Sequence, residues 1–400
     1  VETYRPMIDE TMVQVSKSIP DAGSESGGPG QVTGLESMKP MLEGLTGAMK
    51  TFLDSAERLD LGLRLDGGKA SFDLRFLAKT GSALDRPKSA RGDVAALAAS
   101  LPADYPVVVL LGGGLREMTE WSMKFSDMTF AAMPEAQRTA FKGLMSRSKE
   151  MTDLLGDEMA VAFRMGDAGF EMVEILSAKD PKAYLAKMDE MFRGQGDTLA
   201  AMGVTVETLP PSTTAGVDVR EWSMAFDFDK LAAMNAETTG QDPAKSEAAR
   251  KAMQAMFGSG KLRARSAAVG NRVVIAMGGA DDLMGKALAA VKAPGKPSAT
   301  LASALSAAGA RPTFVVSLEM RELVGGVLNL MGKVMPASAD KPPPTMPAGG
   351  PVHVMAYGTM EGREYAGTFS ADVAAAAQLI KGLVEQMKPA AVEVPPPDDK

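Results

Sequence analysis

Few side chains in this sequence are of the types that usually do chemistry. There is one histidine, His353, and no cysteine. His353 lies between Val352 and Val354 in a stretch that reads as a strand, with no serine or carboxylate partner in the surrounding pattern. One imidazole cannot assemble a multi-histidine metal site, and a histidine base needs a second group to orient it. Without cysteine there is no disulfide, no thiolate nucleophile and no sulfur-based zinc or iron–sulfur site.

The remaining motifs are partial. Gly112-Gly113-Gly114 and Gly278-Gly279 stand where strands run into helices, a setting that can bind phosphate through free N–H groups. Neither forms GxGxxG, and Asp281-Asp282 after the second pair would repel an anion. In Gly258–Leu262, Ala255 takes the place of the first Walker glycine and Leu262 that of the hydroxyl residue. Ser146–Lys149 satisfies SxxK and Lys79–Gly81 reads KTG, but in the reverse of the β-lactamase order and without SDN. Asp227 and Asp229 are expected on one strand face, and Asp281-Asp282 at a helix start, as capping and solvated groups rather than cation ligands. Met188/Met191 and Met253/Met256 have soft-metal spacing, yet the 30 methionines fall mostly on apolar helix stripes, where Met fills irregular core space. No catalytic residue, cofactor or metal is expected, and the chain reads as non-enzymatic.

These residues are carried by a chain of 400, long enough for two or more domains. It is 45% apolar and 23% charged, a globular profile, with only 5% aromatics. The net charge of −7 is spread without a basic block, so no nucleic-acid partner is expected. No run approaches the ~18 apolar residues of a membrane span. The absence of cysteine and a start at Val1 fit an exported chain from which a signal peptide has been removed.

Apolar spacing predicts the elements. Ile8–Ile19 and Met38–Ala56 read as helices around a linker, Pro20–Gly34. At Leu59 the period becomes 2: Leu59, Leu61, Leu63 and Leu65 share a face, Phe72, Leu74 and Phe76 share one on the return strand, and Asp66-Gly67 turns between them. Val94–Ser100 is a short helix, Pro106–Leu111 a strand, and Pro134 opens a helix with Phe141, Leu144, Met145, Met151 and Leu155 inward. A hairpin over Met159–Leu176 and a helix after Asp180-Pro181 follow. Arg311–Gly332 repeats strand and helix, with Met320, Leu323, Val324, Val327, Leu328 and Met331 on the buried stripe. Pro351–Asp372 repeats the hairpin, turning at Glu361-Gly362, and the last helix bears Ala376, Ile380, Leu383, Val384 and Met387. A further hairpin and helix occupy Lys261–Lys292. The order helix, strand, helix, hairpin, helix fits both Val94–Phe192 and Ala299–Met387, which suggests a diverged duplication. Lys341–Pro351 and the C-terminal Pro-rich stretch read as extended segments.

The tetrapeptide Glu-Trp-Ser-Met occurs twice and holds both tryptophans. Trp121 falls in helical spacing with Met118, Phe125 and Met128, whereas Trp222 alternates with Met224, Phe226 and Phe228 as in a strand. The copies are therefore unrelated, and Trp121, Trp222, Met224 and Phe226 are candidate interface or apolar-groove anchors.

The stretch Leu101–Met118, "LPADYPVVVLLGGGLREM", with strand–helix and hairpin–helix units around it, resembles a group of exported bacterial proteins of unknown function. That resemblance implies export, to the periplasm or cell surface, and a non-enzymatic role.

The expected fold is α+β: two diverged halves, each a mainly antiparallel sheet covered by amphipathic helices, with an N-terminal helical arm. The expected units are 1–57 (arm, linker 20–34), 58–200, 201–390 and a Pro-rich tail, 391–400. The expected function is a bacterial cell-envelope protein acting through protein–protein interaction, self-association or a structural role. The alternative is a carrier of lipid or another apolar ligand in a Met- and Leu-lined groove.

Overall fold

The computed structural model describes residues 53–82, 92–102, 105–116, 150–166, 169–194, 196–201, 203–231, 260–279, 281–309, 312–334 and 345–387, with a few isolated positions between. The expected helix Ile8–Ile19, linker 20–34 and tail 391–400 lie outside them, as do the helices expected over Met38–Ala56 and from Pro134, save for their last residues; Ala56, placed on the former, begins a strand. Leu155, placed inward on the latter, also begins a strand.

Strands dominate. They are β1 (Ala56–Asp66), β2 (Lys69–Ala78), β3 (Val107–Leu111), β4 (Leu155–Gly166), β5 (Gly169–Ala178), β6 (Val204–Thr214), β7 (Val217–Phe226), β8 (Lys261–Val269), β9 (Arg272–Gly278), β10 (Phe314–Glu319), β11 (His353–Glu361) and β12 (Glu364–Ala371). The helices are α1 (Val94–Ala99), α2 (Pro181–Arg193), α3 (Gly196–Ala201), α4 (Leu283–Lys292), α5 (Ala299–Ala308), α6 (Met320–Val334) and α7 (Val373–Met387).

Local chemistry sets many of the boundaries. The β1–β2 turn is Gly67-Gly68, at φ 53° and 85°, the positive angles that a two-residue hairpin turn requires. Asp180 caps α2 by accepting from the Ala183 N–H (3.0 Å), with Pro181 pre-set for the first turn. Ser298 accepts from the Leu301 N–H and so starts α5.

The expectation of two halves with separate sheets is overturned. All 12 strands form one antiparallel sheet in the order β1-β2-β12-β11-β10-β3-β4-β5-β9-β8-β7-β6. No cut of the chain divides it, because β2 pairs with β12 and β5 with β9, while β3 and β10 join at the centre. The expected boundary at 200/201 therefore falls within a shared sheet. Strand β6, which the sequence reading passes over, forms an edge; its Pro210 and Pro211 sit at a register shift between Leu209 and Ser212. Proline lacks a ladder donor and is tolerated at such a place.

Helices cover both faces. On one, α1, α4 and α5 bury Leu97, Leu288 and Leu301 against a row that runs Val315, Leu110, Ala160, Ile175, Val274, Ala267 and Val219 across the sheet. On the other, α2 buries Tyr184, Leu185 and Met188 with Trp222, Val273 and Ile275. Helix α6 lies on this second face, its Gly326 so close to the Met165 carbonyl that no β-carbon would fit.

Candidate functional site

The residues weighed for chemistry in the sequence have the following surroundings. The Nδ1 of His353 is buried without a hydrogen-bond partner, and its backbone N–H donates to Asp372 (3.2 Å). Gly112 packs against Val94 and donates to the Thr313 carbonyl (2.7 Å), joining α1 to the sheet. Gly278 and Gly279, both at positive φ, press on Phe170 and Glu171. Asp281 is bound by Arg265 (2.9 Å) and Arg263 (3.2 Å), and Asp282 by Lys286 (2.8 Å). Asp282 is the N-cap of α4 but makes no side-chain cap bond, so these charges serve ion pairs rather than capping.

Strand β7 ends at Phe226, so Asp227 and Asp229 do not share a strand face. Asp227 instead accepts from the Lys230 N–H (3.0 Å) at the start of the next turn. Met188 is buried in the second core, with Met191 partly buried beside it. Ser146, Lys149, Met253, Met256 and Gly258 lie outside the described residues.

The candidate anchors separate likewise. Trp121 is outside the described residues. Trp222 is 1% exposed, its ring 5.5 Å from that of Phe192, which makes it a core residue. Met224 packs beside it, partly buried, and Phe226 stacks on Phe257 at 4.7 Å.

The structure places a different apolar surface in solvent. Leu61, Leu63 and Leu65 of β1, Phe72 of β2 and Phe369 of β12 are all exposed. The register sets Leu63 opposite Phe72, and Phe72 opposite Phe369, so these rings and leucines form one row. That row continues through Ala356, Val316, Val109, Val161 and Glu174 to Ile275, on the face that α2 covers at the far end.

Helix α7 shows why this end is open. Like α2, it follows directly on a hairpin. Yet Leu379 is its one buried large side chain among the described residues, while Val373, Ile380 (61% exposed) and Val384 face water. Its first turn is tied to the β1–β2 turn, Ala374 N–H donating to the Gly68 carbonyl (3.0 Å), and Pro347 packs on Gly382. The stripe Ile380/Val384, expected to be buried, is not; nor is Val327 of α6. Exposed large side chains thus cluster on β1, β2, β12, α6 and α7. Of these, Leu63, Phe72 and Phe369 are joined in one row by the strand register, which makes that row a candidate interaction surface.

On β1 and β2 the charged residues take the other face. Arg64 and Asp73 lie on it, where Thr368 donates to Asp73 (2.7 Å) and Arg64 pairs with it (3.0 Å). The Thr368 hydroxyl, with Arg64, holds the Asp73 carboxyl below the usual carboxylate range. The described recesses are open and lined by polar and apolar groups alike. One of about 650 Å³ is bordered by Glu150, Lys187, Glu190 and Arg193, and one of about 470 Å³ by Arg64, Asp73, Tyr357 and Thr368. Among the described residues no three His, Asp or Glu side chains converge as metal ligands would, and no helix is long and apolar enough to cross a membrane.

Carboxylates set into the sheet escaped the sequence reading, Glu319 and Glu174 among them. Glu319 accepts from the backbone N–H groups of Arg321 (3.2 Å), Glu322 (2.6 Å) and Val352 (2.8 Å) at the start of α6. Glu174 lies on the apolar face between Val161 and Ile275, and burial pushes its carboxyl up to about 7. Burial also raises Tyr184, with the Glu174 charge adding to the effect. The alternation of Glu171 and Glu174 with apolar residues in β5 was the available signal, since Glu174 breaks it.

No family model and no curated protein matches the chain. A solved structure, crystal form I of TP0453, aligns over 74% of this chain and 99% of its own, with 11% identity and a TM-score of 0.29. At that level the likeness bears on neither fold nor function.

Proposed function

We propose that this is a non-catalytic protein of the bacterial cell envelope that acts through protein–protein interaction, using the apolar surface of β1, β2, β12 and α7. The exposed row Leu63, Phe72 and Phe369, with Ile380 and Val384 of α7 exposed as well, is the observation that carries the reading. Covering a leucine or phenylalanine is worth roughly 1.5–3 kcal/mol, so a few such side chains suffice to drive docking. The exposure of that row to solvent favours this reading over a carrier, whose ligand would need an enclosed lining. The envelope address rests on the absence of cysteine and the resemblance to exported proteins.

A photo-crosslinking residue in place of Phe369, with one at the exposed Glu207 as control, tests this in the native host. A defined protein adduct from position 369 alone is expected. A lipid adduct there would establish the carrier instead, and equal labelling at both positions would remove the surface from consideration.

A further inference from the structure

The two edges of the sheet are built differently. At one end, β6 carries Pro210-Pro211 and a register shift, devices that deny a neighbouring strand its hydrogen bonds. At the other end, β1 is free of proline and keeps unbroken register with β2 from Arg58 to Asp66. The two-residue turn closes on the pair Asp66–Lys69, so residues of that parity direct their N–H and C=O groups to β2. Leu59, Leu61, Leu63 and Leu65 therefore direct theirs to the open edge.

That stretch is complementary to itself. It reads Arg58-Leu59-Asp60-Leu61-Gly62-Leu63-Arg64-Leu65-Asp66. Laid antiparallel on a second copy about Gly62, Arg58 meets the partner's Asp66 and Asp60 meets the partner's Arg64. Leu59 meets the partner's Leu65, Leu61 the partner's Leu63, and glycine meets glycine at the axis. We propose that the free edge of β1 pairs with β1 of a second copy of this chain, giving a two-fold dimer whose sheet runs through both molecules.

The chemistry agrees on each side of the strand. The leucines exchange main-chain hydrogen bonds and bring their side chains together on the apolar face. The charged residues lie on the other face as opposite pairs, at positions where cross-strand neighbours interact directly. Gly62 falls at a non-hydrogen-bonded pair, where strands approach to about 4.5 Å between Cα atoms, and offers no side chain to obstruct it. The ion pairs to be exchanged, Arg58–Asp60 (2.8 Å) and Arg64–Asp73 (3.0 Å), are exposed and weakly held. Because the interface is isologous and β6 is guarded, assembly closes at two copies.

The inference rests on the interface reading above and names the partner for one border of that surface. Sedimentation of the full chain tests it, with a mass of twice 41.8 kDa expected. D60R sets two like-charged arginine pairs across the axis and R64D two like-charged carboxylate pairs. Each alone is expected to weaken the dimer at least about tenfold. An equimolar mixture of the two restores a dimer, because each variant then faces its opposite charge. L63P removes an N–H that points away from β2, so it is expected to give a monomer with an unchanged melting temperature. A monomeric wild type, a dimer indifferent to D60R and L63P, or a mixture of the charge variants that stays monomeric would each overturn the pairing. These results read mass alone, so their failure leaves a crosslink at position 369 standing, and loss of that crosslink leaves a dimer standing.

Discussion

Glu174 is the residue most at odds with its surroundings, a carboxyl on an apolar sheet face with its pKa raised from 4.5 to about 7 by burial. Below pH 4.5 it is protonated folded or unfolded and has no effect. Between 4.5 and 7 the folded chain retains a proton that the unfolded chain releases, so stability declines as pH rises. Above 7 the full penalty applies, on the order of 3 kcal/mol from the size of the shift. Denaturant unfolding of the wild type should therefore lose stability between pH 5 and pH 8. Glu174→Gln should flatten that slope; an unchanged slope in the variant would place the titrating group elsewhere.

At the scale of elements, α2 and α7 occupy comparable places after their hairpins and behave differently. Helix α2 buries Tyr184, Leu185 and Met188, whereas α7 buries Leu379 and leaves Ile380 to solvent. Neighbouring residues of α7 should thus respond in opposite ways. Leu379→Ala is expected to cost about 2–4 kcal/mol of stability by opening a cavity. Ile380→Ala should stay within about 0.5 kcal/mol, as an exposed substitution does. Thermal denaturation of the two variants checks the contrast, and a large loss at Ile380 would mean that its side chain is covered in solution. The β1–β2 hairpin makes the same point: its turn glycines and alternating leucines were legible, but not that the leucine face would stay uncovered. Periodicity reports that a face is apolar and is silent on what, if anything, lies against it.

At the scale of the molecule, strands far apart in sequence complete one another. β2 needs β12 and β5 needs β9. A fragment spanning 58–200 would expose β2, β3 and β5 as unpaired edges and lose α4 and α5 from one face. Expressed alone it should be unfolded by circular dichroism and amide exchange, and co-expression with 201–390 should restore structure. An independently folded fragment would contradict a single cooperative sheet.

The sequence by itself determined the local units: the β1–β2, β4–β5 and β11–β12 hairpins, with the first and last turns lying one residue later than expected, at Gly67-Gly68 and Gly362-Arg363, the helix capped by Asp180, and the absence of a thiolate or histidine cluster. Each depends on turn geometry, side-chain period or residue type, all of which act over a few residues. Tertiary structure alone decided that these units join one sheet, that Trp222 is a core residue, that Ile380 faces water, and that Arg58–Asp66 lies at an edge of the described sheet. Those outcomes depend on which apolar faces and unpaired strand edges meet, and pairing such as β2 with β12 is a long-range competition that no local pattern encodes.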